Sequence, residues 1–239
     1  MLLRLPLLLF PCFLWVFQGC AVQQPATLAA EPRTVSGAEI SYLALGDSYT
    51  IGEGVGPAER WPVQLAALAR RQGIALQAPD IIARTGWTTA ELQAAISAAN
   101  NQRTYGLVSL LIGVNNQFRG QSGVLYRQQF RDLLHTAVRF AGGRPGRVFV
   151  LSIPDWGQAP FARRSGVEPS IVGAEIDHFN AVAQDECHQA GIAYIDITPL
   201  TRAAAGDAAQ FARDGLHYSG PQTQRWAALA LPVVRGLLP

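Results

Sequence analysis

The chain has 239 residues, of which 49% are hydrophobic and 15% charged, and its formal net charge is +2. That length and apolar content suffice for one sizeable core in a single domain. All 19 basic residues are arginines, a coding bias rather than a device, and they are scattered without a run, so no nucleic-acid partner is expected.

The first element is "MLLRLPLLLFPCFLWVFQGC". One positive residue, Arg4, precedes an apolar run to Phe17 that Pro6 and Pro11 interrupt. A membrane-spanning helix needs about 20 apolar residues, and this run falls short. It has the length of a signal-peptide apolar region. Gly19-Cys20 closes it, and "AVQQPATLAAEPRTVSG" follows as a flexible tether. The stretch resembles a bacterial lipoprotein signal, which implies that Cys20 is lipidated and becomes the mature N-terminus. Phe17 and Gln18 depart from that signal, where an aliphatic and a small residue are usual. Ordinary secretory cleavage after Ala21 is the alternative, since Gly19-Cys20-Ala21 has small residues where it needs them. Both routes predict export. The lipid route predicts a membrane anchor on the periplasmic face of the cell envelope, the other a periplasmic or secreted product. The expected division is a signal peptide over 1–19, a tether over 20–38 and one domain over 39–239. Only Cys12, Cys20 and Cys187 exist, which excludes a disulfide framework and a cysteine metal site. Cys187 lies in a predicted helix and reads as a small buried residue.

After the tether, strand-like and helix-like segments alternate. Residues 41–45 read as a strand. "ERWPVQLAALARRQG" reads as a helix closed by Gly73, and "IALQAPDIIA" as strand-like but broken by Pro79. Thr88, Thr89 and Glu91 open a helix in "TTAELQAAISAAN". "YGLVSLLIG" is a buried strand, and "GVLYRQQFRDLLHTAVRFAGG" an amphipathic helix ending on a glycine pair. "RVFVLSI" and "IAYIDI" are further strands, with the helix "IVGAEIDHFNAVAQDECHQAG" between them. "PQTQRWAALALPVVRGLL" is a last helix with Pro221 at its start. Apolar strands alternating with helices imply an α/β fold whose parallel sheet is covered on both faces. Residues 154–170 show neither period, and long loops of this kind are often functional. Trp156 and Phe161 there either line a pocket or cover the sheet edge.

The segment "YLALGDSYTIGEG" asks for a function. A strand stops at Gly46-Asp47-Ser48, and glycines follow at 52, 54 and 56. A phosphate loop requires Gly-x-x-x-x-Gly-Lys-Ser/Thr. Five residues separate Gly46 from Gly52, and the chain has no lysine. Started at Gly52, the dinucleotide fingerprint fails because Pro57 stands at its last glycine position. A serine nucleophile or an ordinary turn remains.

A serine nucleophile needs a base within reach. Of the four histidines, His135, His178 and His188 lie within predicted helices. His217 lies in the loop "ARDGLHYSG" after the last strand, three residues beyond Asp214. In an open parallel sheet, such loops meet at the carboxyl edge, where ligands bind. A short Asp-x-x-His turn can set the carboxylate against the imidazole and fix its tautomer, though the pattern alone is common. Acyl transfer also needs donors for an oxyanion. "ARTGWTT" offers the N–H of Gly86 and "LLIGVNNQ" the amide of Asn115. Each alone reads equally as an ordinary turn.

Gly46-Asp47-Ser48, Gly86, Gly113-Val114-Asn115 and Asp214-Gly215-Leu216-His217 resemble, in order, the four blocks of the SGNH hydrolases, or GDSL lipases/esterases. The resemblance spans about residues 41–237. It implies a three-layer α/β/α sandwich with a flavodoxin-like parallel sheet. It implies Ser48 as nucleophile, His217 as base and Asp214 as its orienting carboxylate. The oxyanion hole would be the N–H of Ser48, the N–H of Gly86 and the side chain of Asn115. No metal or other cofactor is implied. Asn116 stands where the family often has Asp, and Tyr218 where it often has Pro. "GQSGV" at 120–124 misses the lipase elbow through Val124, which argues against an α/β-hydrolase. The expected activity is hydrolysis of carboxylic esters or thioesters, on a small-molecule ester or lipid, with no protein partner legible. The competing expectation is a non-catalytic envelope-binding or scaffold lipoprotein that keeps the fold.

Overall fold

In the computed structural model, residues 38–238 are described. The expected signal peptide, the Cys20 anchor and the tether up to residue 37 lie outside them. The first strand is β1 (Tyr42–Gly46), followed by the one-turn helix α1 (Ser48–Ile51) and α2 (Trp61–Arg71). Next come β2 (Asp80–Ala83), α3 (Thr89–Ala99), β3 (Leu107–Leu111) and the short α4 (Val114–Phe118). α5 (Gly123–Phe140), β4 (Val148–Leu151), α6 (Pro160–Arg164), α7 (Pro169–Ala190) and β5 (Ala193–Ile195) follow. α8 (Thr198–Arg202) and α9 (Gly220–Leu237) complete the order.

The five strands form one parallel sheet in the order β2-β1-β3-β4-β5. The chain steps one way from β1 to β2 and then runs the other way through β3, β4 and β5. With right-handed crossovers, that reversal puts α2 on one face and α3, α5 and α7 on the other. The packing agrees: α2 lies against α9, while α5 lies against α3 and α7. The result is the expected three-layer α/β/α sandwich.

The strand sequences show why. β1, β3 and β4 are apolar but for one residue, and every residue in them is buried; a strand covered on both faces has no solvent side to make polar. The polar exception, Ser109, meets the Tyr42 hydroxyl at 2.9 Å. α3 begins as read: the Thr88 side chain accepts from the Glu91 N–H, and Glu91 reaches back to the Thr88 N–H. Pro79 splits its segment as expected, leaving an isolated bridge from Leu76 to Ile40 before β2. Cys187 is fully buried, which pushes its thiol pKa up to about 12. Among the described residues, no helix is long and apolar enough to cross a membrane.

The stretch 154–170 needs correction. It is not a structureless loop. It contains a 3₁₀ turn at Trp156–Gln158, the helix α6 and the first turn of α7. Pieces of three to five residues are too short to show a period. Their order comes from tertiary partners: Asp155 caps the 3₁₀ turn through Gly157 N–H and takes an ion pair from Arg202 at 2.8 Å.

Where β1 ends, its neighbour crowds it. A Cβ on Gly46 would sit 2.2 Å from Thr50 Oγ1 and 2.5 Å from the Leu111 carbonyl oxygen. Only a residue without a side chain lets the chain turn into α1 against the end of β3. Gly46→Ala is expected to destabilise the domain by about 1–3 kcal/mol, the usual cost of overpacking. A urea unfolding midpoint equal to that of the parent would show that Thr50 can move aside.

Candidate active site

The parallel direction of the sheet brings the loops after β1, β2 and β3 to one edge, with the 212–219 loop before α9. Asp47 caps α1, its Oδ1 accepting from the Tyr49 N–H at 3.0 Å. Ser48 is therefore the first residue of the helix, and its N–H has no intrahelical acceptor. β2 leads to a turn in which Gly86 takes φ +87°, a conformation that favours glycine. The Gly86 N–H has no protein acceptor among the described residues. β3 leads through Gly113, at φ +131°, into α4, which carries Asn115.

Ser48, Gly86, Asn115 and His217 open onto one cavity of about 120 Å³, completed by Tyr49, Thr85, Val114, Phe118, Trp156 and Leu216. A larger hollow of about 410 Å³ lies among residues 96–104 and Thr136, Arg139 and Phe140, and no histidine or acid lines it. Chemistry rather than volume picks the smaller one.

Asp214 and His217 form a tight unit. Asp214 Oδ2 lies 2.6 Å from His217 Nδ1, and Oδ1 accepts from the N–H groups of Leu216 at 2.8 Å and His217 at 3.0 Å. Burial pushes the Asp214 carboxyl up, but the hydrogen bonds from the imidazole and these two N–H groups outweigh it and hold its pKa below the ordinary value. An ionised carboxylate at Nδ1 keeps the proton on that nitrogen and leaves Nε2 to accept another. Nε2 has no partner among the described residues: Ser48 and His217 share the cavity without a hydrogen bond between them. The Tyr49 ring packs on the imidazole with centroids 5.4 Å apart.

Both departures from the family pattern have structural roles here. Buried Asn116 accepts from Thr89 N–H at 3.1 Å and donates to Thr89 Oγ1 at 2.6 Å and Gln121 Oε1 at 2.9 Å. An aspartate could not donate to Gln121. Buried Tyr218 donates its hydroxyl to the Asp155 carbonyl at 3.1 Å and packs on Trp226, 5.1 Å away. It ties the histidine loop to the core.

Residues 42–46, 107–111 and 214–217 thus stand on elements that converge, and residues 44–222 match the GDSL-like lipase/acylhydrolase family. The chain belongs to that family. It is a GDSL-type hydrolase. A comparison with curated proteins finds no match. Solved structures share the fold. TesA is 19% identical with a TM-score of 0.66, and the match covers 83% of this chain and 99% of that one. A lipase/acylhydrolase from Enterococcus faecalis is 20% identical with a TM-score of 0.60, covering 84% and 97%. The SGNH-hydrolase family esterase AlinE4 is 19% identical with a TM-score of 0.57, covering 85% and 98%.

Sequence reading missed part of the GDSL site. Trp156 was open between two roles, and it lines the cavity, its indole N–H held by Gln117 Oε1 at 2.8 Å. Phe161 packs against it at a tilt, with ring centroids 6.3 Å apart, instead of lining the cavity. Phe118 was not foreseen, although it sits three residues beyond Asn115 and so on the same side of α4. It remains 57% exposed and meets Trp156 edge-on.

Asp47 contributes a measurable signature. It is fully buried, its Oδ2 lacks a partner, and burial raises its pKa to about 7 against the weaker pull of the Tyr49 N–H. A carboxyl with a raised folded pKa contributes stability that is complete below the unfolded value near 3.8 and lost as pH rises through about 7. Asp47→Asn, which keeps the acceptor for Tyr49, is expected to flatten the fall in stability between those pH values. Urea midpoints across that range measure it, and an identical slope in both proteins would place the titration elsewhere.

Proposed function

We propose that this hydrolase is exported and cleaves carboxylic esters or thioesters through an acyl-enzyme on Ser48. Ser48 Oγ attacks the acyl carbon while His217 Nε2 takes its proton, and Asp214 steadies the resulting imidazolium. The tetrahedral oxyanion receives hydrogen bonds from the N–H groups of Ser48 and Gly86 and from the Asn115 amide. Collapse expels the alcohol or thiol, which takes the proton from His217. Water then enters by the reverse sequence: His217 removes its proton, and the acid leaves Ser48. The observation that carries this reading is the 2.6 Å Asp214–His217 pair beside the cavity onto which Ser48 opens. The walls of Tyr49, Val114, Phe118, Trp156 and Leu216 suit an apolar acyl or alcohol group, so the substrate is a small ester or a lipid. No metal or other cofactor takes part. The competing reading, a scaffold lipoprotein without chemistry, has nothing specific in its favour.

A fluorophosphonate probe is expected to label the parent protein and not Ser48→Ala. His217→Ala is expected to abolish most turnover, and Asp214→Asn to cost less. A folded His217→Ala that retains near-native turnover overturns the mechanism. Asn115→Ala is expected to lower kcat by ~10²–10³, the usual loss for one oxyanion donor.

Export and anchoring rest on the N-terminal pattern ending at Gly19-Cys20. Several acyl chains on one cysteine would hold the protein firmly, since a single chain binds only marginally. Cys20→Ala is expected to block lipidation and remove the mature form from the membrane fraction. Unchanged gel mobility and membrane association would favour ordinary cleavage after Ala21.

A further inference from the structure

Arg119 belongs to none of the four blocks, yet it touches both loops that hold the proposed oxyanion donors. It follows α4 directly, and its backbone N–H donates to the Asn115 carbonyl at 3.1 Å. Its guanidinium donates through Nη2 to the Gly86 carbonyl at 2.5 Å and through Nη1 to Glu91 Oε1 at 3.1 Å. Glu91 in turn caps the start of α3, immediately after the Gly86 loop. One side chain therefore spans the end of α4, the Gly86 turn and the start of α3.

We propose that Arg119 is a positioning residue that sets the Gly86 and Asn115 donors at a fixed separation. This rests on the reading of those two groups as the oxyanion hole. Arg119 does not line the cavity, so it acts through Gly86 rather than on substrate. A glycine at positive φ has little local preference to hold its peptide planes in one orientation. A charge-assisted hydrogen bond to its carbonyl supplies that constraint, and such bonds are about twice as strong as neutral ones. α4 itself grips the same loop: Asn115 Nδ2 donates to the Trp87 carbonyl at 2.9 Å, and Asn116 holds Thr89. Arg119 extends that grip to Gly86 itself. Its ion pair with Glu91 is about half exposed on both sides, and such pairs add little to stability. Its loss is therefore expected in rate more than in folding.

The test is steady-state hydrolysis of p-nitrophenyl acetate by the full chain and by R119M, R119K and N115A, with a urea midpoint for each. R119M is expected to lower kcat about tenfold, less than the ~10²–10³ for removing a donor outright, with KM and midpoint close to the parent's. R119K, which keeps the charge but lacks the rigid planar fork of the guanidinium, is expected to fall between. Parent-like kcat in R119M beside a slow N115A overturns the proposal and leaves the oxyanion reading standing. So does a change confined to KM, which would mean substrate contact, or to the midpoint, which would mean a structural brace. A parent-like N115A sinks the oxyanion reading and this proposal with it. Should R119M fold poorly, R119K decides: a lower kcat at an unchanged midpoint supports the role, and an unchanged kcat overturns it.

Discussion

All five strands run in the same direction, so every loop that leaves a strand's carboxyl end emerges at one edge of the sheet. The site depends on that constraint. β1 delivers Ser48, β2 delivers Gly86 and β3 delivers Asn115, while the loop before α9 returns to the same edge with Asp214 and His217. Ser48 and His217, 169 positions apart in the chain, come to one cavity without any special device beyond strand direction. The strand order adds the crevice. Between β1 and β3 the chain reverses its course across the sheet, and ligands bind outside the carboxyl ends at such a point.

Loops at an open edge need fixing, and here side chains from neighbouring loops do it. α4, through Asn115 and Asn116, and Arg119 just beyond it grip the Gly86 turn. The histidine loop is held from three sides: Phe161 N–H donates to the Gly215 carbonyl at 2.8 Å, Arg164 to the Asp214 carbonyl at 2.9 Å, and Tyr218 to Asp155. The segment 154–170 thus works as a brace for that loop and, through Trp156, as a wall of the cavity. Asp155 is central to it, since one buried carboxylate caps the 3₁₀ turn and pairs with Arg202.

Two carboxylates at this edge behave in opposite ways for physical reasons. Asp214 meets three donors, which outweigh its partial burial and keep it ionised. Asp47 meets one N–H with Oδ1, has Oδ2 unpartnered, and is fully buried, so burial wins and favours its neutral form. The difference lies in the number of donors and the access of water, not in residue type.

The sequence by itself determined the layered parallel fold, because buried strands need unbroken apolar runs and helices need their own period and caps. It also offered the candidate site residues, because serine, glycine and asparagine stand in order after β1, β2 and β3, and Asp-x-x-His stands in the loop before the last helix. It left Trp156 between two roles and read 154–170 as irregular, because helical turns of three to five residues carry no period and take their shape from Asp155, Arg202 and Gln117. Phe118 and Arg119 were silent for a related reason: an exposed aromatic and one arginine among 19 look alike until the fold shows what each touches. Contacts between loops distant in the chain, such as Arg119 on Gly86 or Tyr218 on Asp155, were decided by the tertiary structure alone, since a hydrogen bond to a backbone carbonyl leaves no mark in the identity of the residue that accepts it.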